Sequence, residues 1–147
     1  MNPAATPNEP GQPIAFRARA ALLKRMADVV CLPSSRVNAF ERSMTADLLV
    51  DMLREAEPED RLKVARRLAN LSEIPASLVR LLLRDHVEIA EALLTNCASL
   101  TDSDLLDCAR SAGLEHRRLI AMRRGVSEVV CDVLIEFGEA LVIECLL

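Results

Sequence analysis

Ile74-Pro75, Leu100-Thr101 and Val126-Ser127 recur every 26 residues, and each sets an apolar residue just ahead of a helix start. A chain that returns to one pattern at a fixed interval is assembled from one structural unit used several times. Upstream of each junction lies a second helical segment, marked by Val64-Ala65, Ile89-Ala90 or Ile120-Ala121. Neither helix of such a unit can bury its apolar stripe alone, and stacking on the next unit covers it. The period therefore predicts an all-α chain of antiparallel helix pairs stacked into a solenoid.

The junctions carry their own local chemistry. Ile74 pairs with Val79, Leu100 with Leu105 and Val126 with Cys131, one residue of each pair before the cap and the other four positions into the helix. This is the spacing of a hydrophobic staple, which fixes the angle at which the chain enters a helix. Thr101-Asp102-Ser103-Asp104 reads as a variant of the capping box. Gly113 and Gly138 are expected at left-handed C-terminal caps, and Gly125 inside a turn. The Ala of the Val/Ile-Ala pairs recurs after 25 and then 31 residues, which predicts a longer loop around Ser111-Ala112-Gly113-Leu114.

Helical periodicity predicts a first helix over 14–30, broken at Leu32-Pro33, and a second that starts from a cap at Ser34 or Ser35 and runs to about Glu57. Pro58, Glu59 and Asp60 suit the first turn of the next. The repeat units then span 58–84, 86–112 and 114–137, as helices over 58–71 and 75–84, 86–97 and 101–112, 114–124 and 127–137. A partial repeat over 139–147 brings the total to about nine helices. Residues 14–147 form one helical-repeat domain on this reading, and 1–13, with four prolines and no basic residue, are expected to be a disordered tail.

Composition narrows the function. Trp and Tyr are absent and Phe occurs three times, so Leu, Ala and Val carry the packing. Aromatic-lined ligand pockets and base-stacking platforms are disfavoured on that ground. The net charge of −4 disfavours a non-specific nucleic-acid binder. The cysteines Cys31, Cys97, Cys108, Cys131 and Cys145 form no CxxC motif and read as buried, reduced thiols. With no expected signal peptide and no apolar run long enough to span a membrane, they point to a cytoplasmic protein.

No arrangement for catalysis or for binding a metal or cofactor stands out. The two histidines, His86 and His116, read as a helix-start residue and as part of a solvated face, Glu115-His116-Arg117-Arg118. Cys97 and Cys108 lack further partners at zinc-ligand spacing, and Asp102 and Asp104 are accounted for as helix-start charges. The expectation is a protein that is not an enzyme.

The run from Ala46 to Leu147 resembles a bacterial family, the domain of unknown function 2336 (DUF2336), found mostly in alphaproteobacteria. Ala46-Asp47-Leu48-Leu49, Ala56 to Ala69, Asp85 to Leu94, Leu100 to Leu106 and His116 to Ser127 carry the resemblance. It implies a right-handed, HEAT-like α-solenoid of unknown biochemical role, with no catalytic residues to transfer. It also implies a longer protein, of which this chain is the N-terminal part. The tail and first helix have no counterpart in it.

Aligning the second helices on Pro75, Thr101 and Ser127 predicts outward-facing side chains: Ser77, Arg80 and Arg84, then Ser103, Asp107 and Arg110, then Glu128, Asp132 and Glu136. In HEAT-type repeats such helices line the concave face, here graded from basic to acidic. Arg117, Arg118, Arg123 and Arg124 form a second concentration of charge. The function expected from these features is a protein-binding scaffold or adaptor, perhaps of bacterial signalling, that takes a protein or peptide partner. The alternative is a nucleic-acid-binding repeat using the Arg-rich helix. Leu141, Val142, Cys145, Leu146 and Leu147 are expected to be partly uncovered, so that this end packs against a second copy or frays.

Overall fold

The computed structural model of the protein describes residues 14–147, and the expected tail lies outside the described residues. Among them the chain is all-α, with nine helices and no strand. In order these are α1 (Ile14–Val30), α2 (Ala39–Arg54), α3 (Pro58–Leu68), α4 (Ala76–Leu83), α5 (Val87–Asn96), α6 (Asp102–Ser111), α7 (Leu114–Ala121), α8 (Glu128–Phe137) and α9 (Ala140–Leu146).

The period survives as geometry. Ala76, Asp102 and Glu128 open α4, α6 and α8, 26 residues apart. Thr101 caps α6 in a reciprocal capping box with Asp104, and the Ser127 side chain accepts from the Val130 amide. Each apolar residue ahead of a cap is half-buried against the core. Its partner is buried at Val79 and Leu105 and half-buried at Cys131.

The helices fall into two rows. The odd-numbered helices contact one another in succession from α1 to α9, and the even-numbered ones do so from α2 to α8. Short connections at 84–86, 112–113 and 138–139 join an even helix to the next odd one, whereas 69–75, 97–101 and 122–127 are longer. Between the rows lies an aliphatic core in which Leu49, Leu53, Leu68, Leu78, Leu82, Leu83, Leu93, Leu94, Ile120 and Leu134 are almost wholly enclosed. Ala65, Ala90 and Ala121 are buried as well, and their small side chains let helices approach closely. Phe40 and Phe137 stay outside, at 71% and 42% exposure.

Four local expectations need correction. The long loop near Ser111 does not exist: only 112–113 separate α6 from α7. The uneven alanine spacing arises because Ala90 lies three residues into α5, while Ala65 and Ala121 lie seven residues into α3 and α7. Gly113 is extended (φ −99°) and caps the start of α7, so it needs no left-handed backbone; Gly138 (φ +66°) does end α8 in that conformation. Asn38 caps α2, its side-chain oxygen accepting from the Glu41 amide at 2.8 Å, because the chain around Ser34 and Ser35 turns without forming a helix. At α9, Val142 is fully buried, while Leu141 and Leu147 are exposed.

Candidate functional site

The register that aligns the helix starts also aligns what they display. Arg84, Arg110 and Glu136 each lie nine residues beyond Pro75, Thr101 and Ser127, and all three are exposed. Arg80, Asp132, Ser103 and Glu128 are exposed too, whereas Ser77 and Asp107 are half-buried. Because α4 touches α6 and α6 touches α8, these residues run along consecutive helices of the even row. Arg84 donates to both carboxylate oxygens of Asp107, at 2.9 and 3.2 Å. Both side chains are close to half exposed, so the pair contributes at most about 1 kcal/mol and leaves the guanidinium available to another carboxylate. Arg80 and Asp107 flank a shallow hollow of about 150 Å³ floored by Val79 and Leu83. A broader one of about 500 Å³ runs beside Leu106 and Arg110.

The four arginines near the end of α7 do not form one face. Arg117 is buried, and its Nε and Nη2 donate to Glu139 Oε1 and Oε2 at 2.6 and 2.9 Å. Its Nη1 donates to the carbonyls of Ala112 and Ala109 at 2.6 and 3.1 Å, and Phe137 lies under the guanidinium with its ring centre 4.1 Å away. The hydrogen bonds from Arg117 hold the Glu139 carboxyl below its ordinary range. Arg123 donates to the carbonyls of Leu94 and Cys97, at 2.6 and 3.1 Å, and so closes the C-terminal end of α5. Arg118 and Arg124 are exposed, and Arg118 faces Glu115 one turn back.

Two features escape a reading of the sequence. Arg61 repeats the Arg117 arrangement: Nε and Nη2 reach Asp85 at 2.7 and 3.1 Å, and Nη1 reaches the Ala56 carbonyl at 2.6 Å. Each arginine stands three residues into an odd helix, bonds a carbonyl five residues upstream and clasps a carboxylate ahead of the next odd helix. The second feature is His116, which is buried rather than solvated. Its Nε2 lies 2.9 Å from the Asp85 carbonyl, an acceptor, so that nitrogen carries the proton.

The cysteines are all free, with Cys97 and Cys108 buried and Cys31, Cys131 and Cys145 half-buried. Burial, reinforced by the neighbouring Asp107 charge, pushes the Cys108 thiol up to about 11, far from the thiolate a nucleophile needs. Among the described residues no group of three His, Cys, Asp or Glu side chains could hold a metal ion. No described helix is long and apolar enough to cross a membrane.

Residues 89–147 match the model of a family described as an uncharacterised protein conserved in bacteria, DUF2336. The match runs from within α5 to the end of α9 and bears out the resemblance read from the sequence over that stretch. The chain matches no curated protein and no solved structure.

Proposed function

We propose that the protein is a non-enzymatic scaffold or adaptor of the bacterial cytoplasm. On this reading its two rows of helices form a right-handed, HEAT-like solenoid, and the α4–α6–α8 face binds another protein or peptide in a signalling setting. The observation that carries the reading is the register-matched series Arg84, Arg110 and Glu136, exposed at one position of three successive units. A series of this kind offers a long, graded charge pattern to an extended or helical ligand of complementary sequence. Affinity capture and crosslink mapping from the native host test it. A partner crosslinked to α4, α6 and α8, and lost from an R84E/R110E/E136K variant with unchanged circular dichroism, is the expected result. Repeated capture with no partner, or crosslinks confined to the odd row, would overturn it.

A second reading, duplex nucleic acid on the Arg-rich segment, draws on the exposed Arg118 and Arg124. The bonds that Arg117 and Arg123 make inside the protein and the acidic net charge weigh against it. It requires DNA binding that weakens steeply with salt, and absence of binding at low salt ends it.

A further inference from the structure

A groove of about 630 Å³ separates α1 from α3. Its floor is apolar: Ala20, Ala21, Leu23 and Ala27 from α1, and Val64 from α3. The alanines keep the α1 wall low, which leaves the groove open. Its rim is basic, with Arg17, Lys24, Lys63, Arg66 and Arg67 set against Asp60. Two of these cations have neighbours of opposite charge, Lys63 beside Glu59 and Arg67 beside Asp28. An apolar trough between cations fits an amphipathic helix whose apolar side is edged with carboxylates.

The chain itself carries such a helix. From Gly125 to Leu147 there is no lysine or arginine, and there are five carboxylates. Glu139 is taken up by Arg117. Glu128, Asp132 and Glu136 follow one another at four-residue spacing on α8 and are exposed. On the same side of that helix stand Val129 and Ile135, 57% and 54% exposed. These are large apolar side chains that nothing within the chain covers. At about 100° per residue the five residues occupy roughly one third of the helix circumference.

The geometry points to a head-to-tail contact in which the α8 face of one copy seats in the α1–α3 groove of the next. Val129 and Ile135 meet the alanine floor, and Glu128, Asp132 and Glu136 meet Lys24, Lys63 and Arg66. Groove and helix are different surfaces, so each copy has one of each left over, and the contact extends into open oligomers rather than closing as a dimer. The groove lies outside the family-matched residues, while α8 lies within them. The inference does not rest on a foreign partner for the α4–α6 part of the even row; it shares only α8 with that reading.

Sedimentation of the full chain over a range of concentrations tests it, with circular dichroism as the control for folding. K24E/R66E disables the groove and V129E/I135E disables the helix face; all four positions are exposed, so neither variant removes core packing. The wild-type chain is expected to form concentration-dependent oligomers whose association weakens about tenfold or more from low to high salt. Each variant alone is expected to be a monomer, and an equimolar mixture is expected to give a one-to-one dimer and nothing larger. A wild-type monomer at every concentration would overturn the proposal, as would oligomers that survive both variants or variants that do not complement on mixing. Failure here, with partner capture on α4–α6–α8 intact, separates this contact from the scaffold reading.

Discussion

Arg117 and Glu139, 22 residues apart in the chain, share two parallel hydrogen bonds of 2.6 and 2.9 Å that lock α7 to the start of α9. The same guanidinium satisfies two carbonyls at the end of α6 and the residue beyond it. One side chain thus serves three helices, which is why its charge is turned inward rather than offered to a partner.

Arg117→Met strips donors from Glu139, Ala109 and Ala112 together, and partners left without bonds cost more than the bonds themselves were worth. Thermal unfolding is expected to drop by several degrees, well beyond Arg118→Met, whose exposed pair is worth at most about 2–4 °C. Equal shifts for the two variants would refute the assignment.

The same pair sets an acid dependence. Glu139 titrates below its ordinary value of 4.5 when folded, because Arg117 donates to it. Its contribution to stability is therefore complete above that ordinary value and is lost as pH falls through the depressed one. Denaturant melts of the wild-type chain should lose stability through this acid window, and Arg117→Met should flatten the dependence there.

Thr101→Ala removes the acceptor for the Asp104 amide and half of the capping box. The expected loss is about 1 kcal/mol in chemical denaturation. An unchanged midpoint would show that the box forms without stabilising α6.

Gly138 and Gly113 separate backbone need from mere presence of glycine. An added Cβ meets nothing within 4 Å at either site, but only Gly138 has a positive φ. Gly138→Ala should destabilise by about 1 kcal/mol, whereas Gly113→Ala should be neutral or raise stability by up to about 1 kcal/mol. Equal effects would contradict the assigned conformations.

Iodoacetamide should separate the thiols by burial. In the folded chain Cys97 and Cys108 should resist alkylation while the half-buried cysteines react, and all five should react in denaturant. Since burial raises the Cys108 thiol from 9.0 to about 11, the unfolded chain loses this proton first, and stability should decline across that window as pH rises. Prompt labelling of native Cys108 would be the contrary result.

What the sequence made legible were features tied to a fixed interval. The helix starts at Ala76, Asp102 and Glu128 follow from the cap and staple pattern, and so does the exposure of Arg84, Arg110 and Glu136. The clasps at Arg61 and Arg117 were hidden because their partners lie 24 and 22 residues ahead, so no common spacing announces them. What they share is an alanine five residues upstream, supplying a carbonyl and too common a residue to draw notice. Arg117 and His116 were misjudged for a related reason: a run of charged residues on a short helix resembles a wet surface until the neighbouring row covers half of it. Gly113 misled because glycine serves an extended N-cap as readily as a left-handed C-cap.

Each inner helix of a row is braced on two sides. Helix α5 has α3 before it and α7 after it, with α4 behind, whereas α1 and α9 each have a row neighbour on one side only. Amide hydrogen exchange should therefore run fastest at the two extremes and slowest near α5, with opening that spreads inward like an unravelling hem. The lifetime of the whole molecule is then governed by its least supported helices, and anything seated against the outer flank of α1 or α9 would lengthen that lifetime for every helix in between.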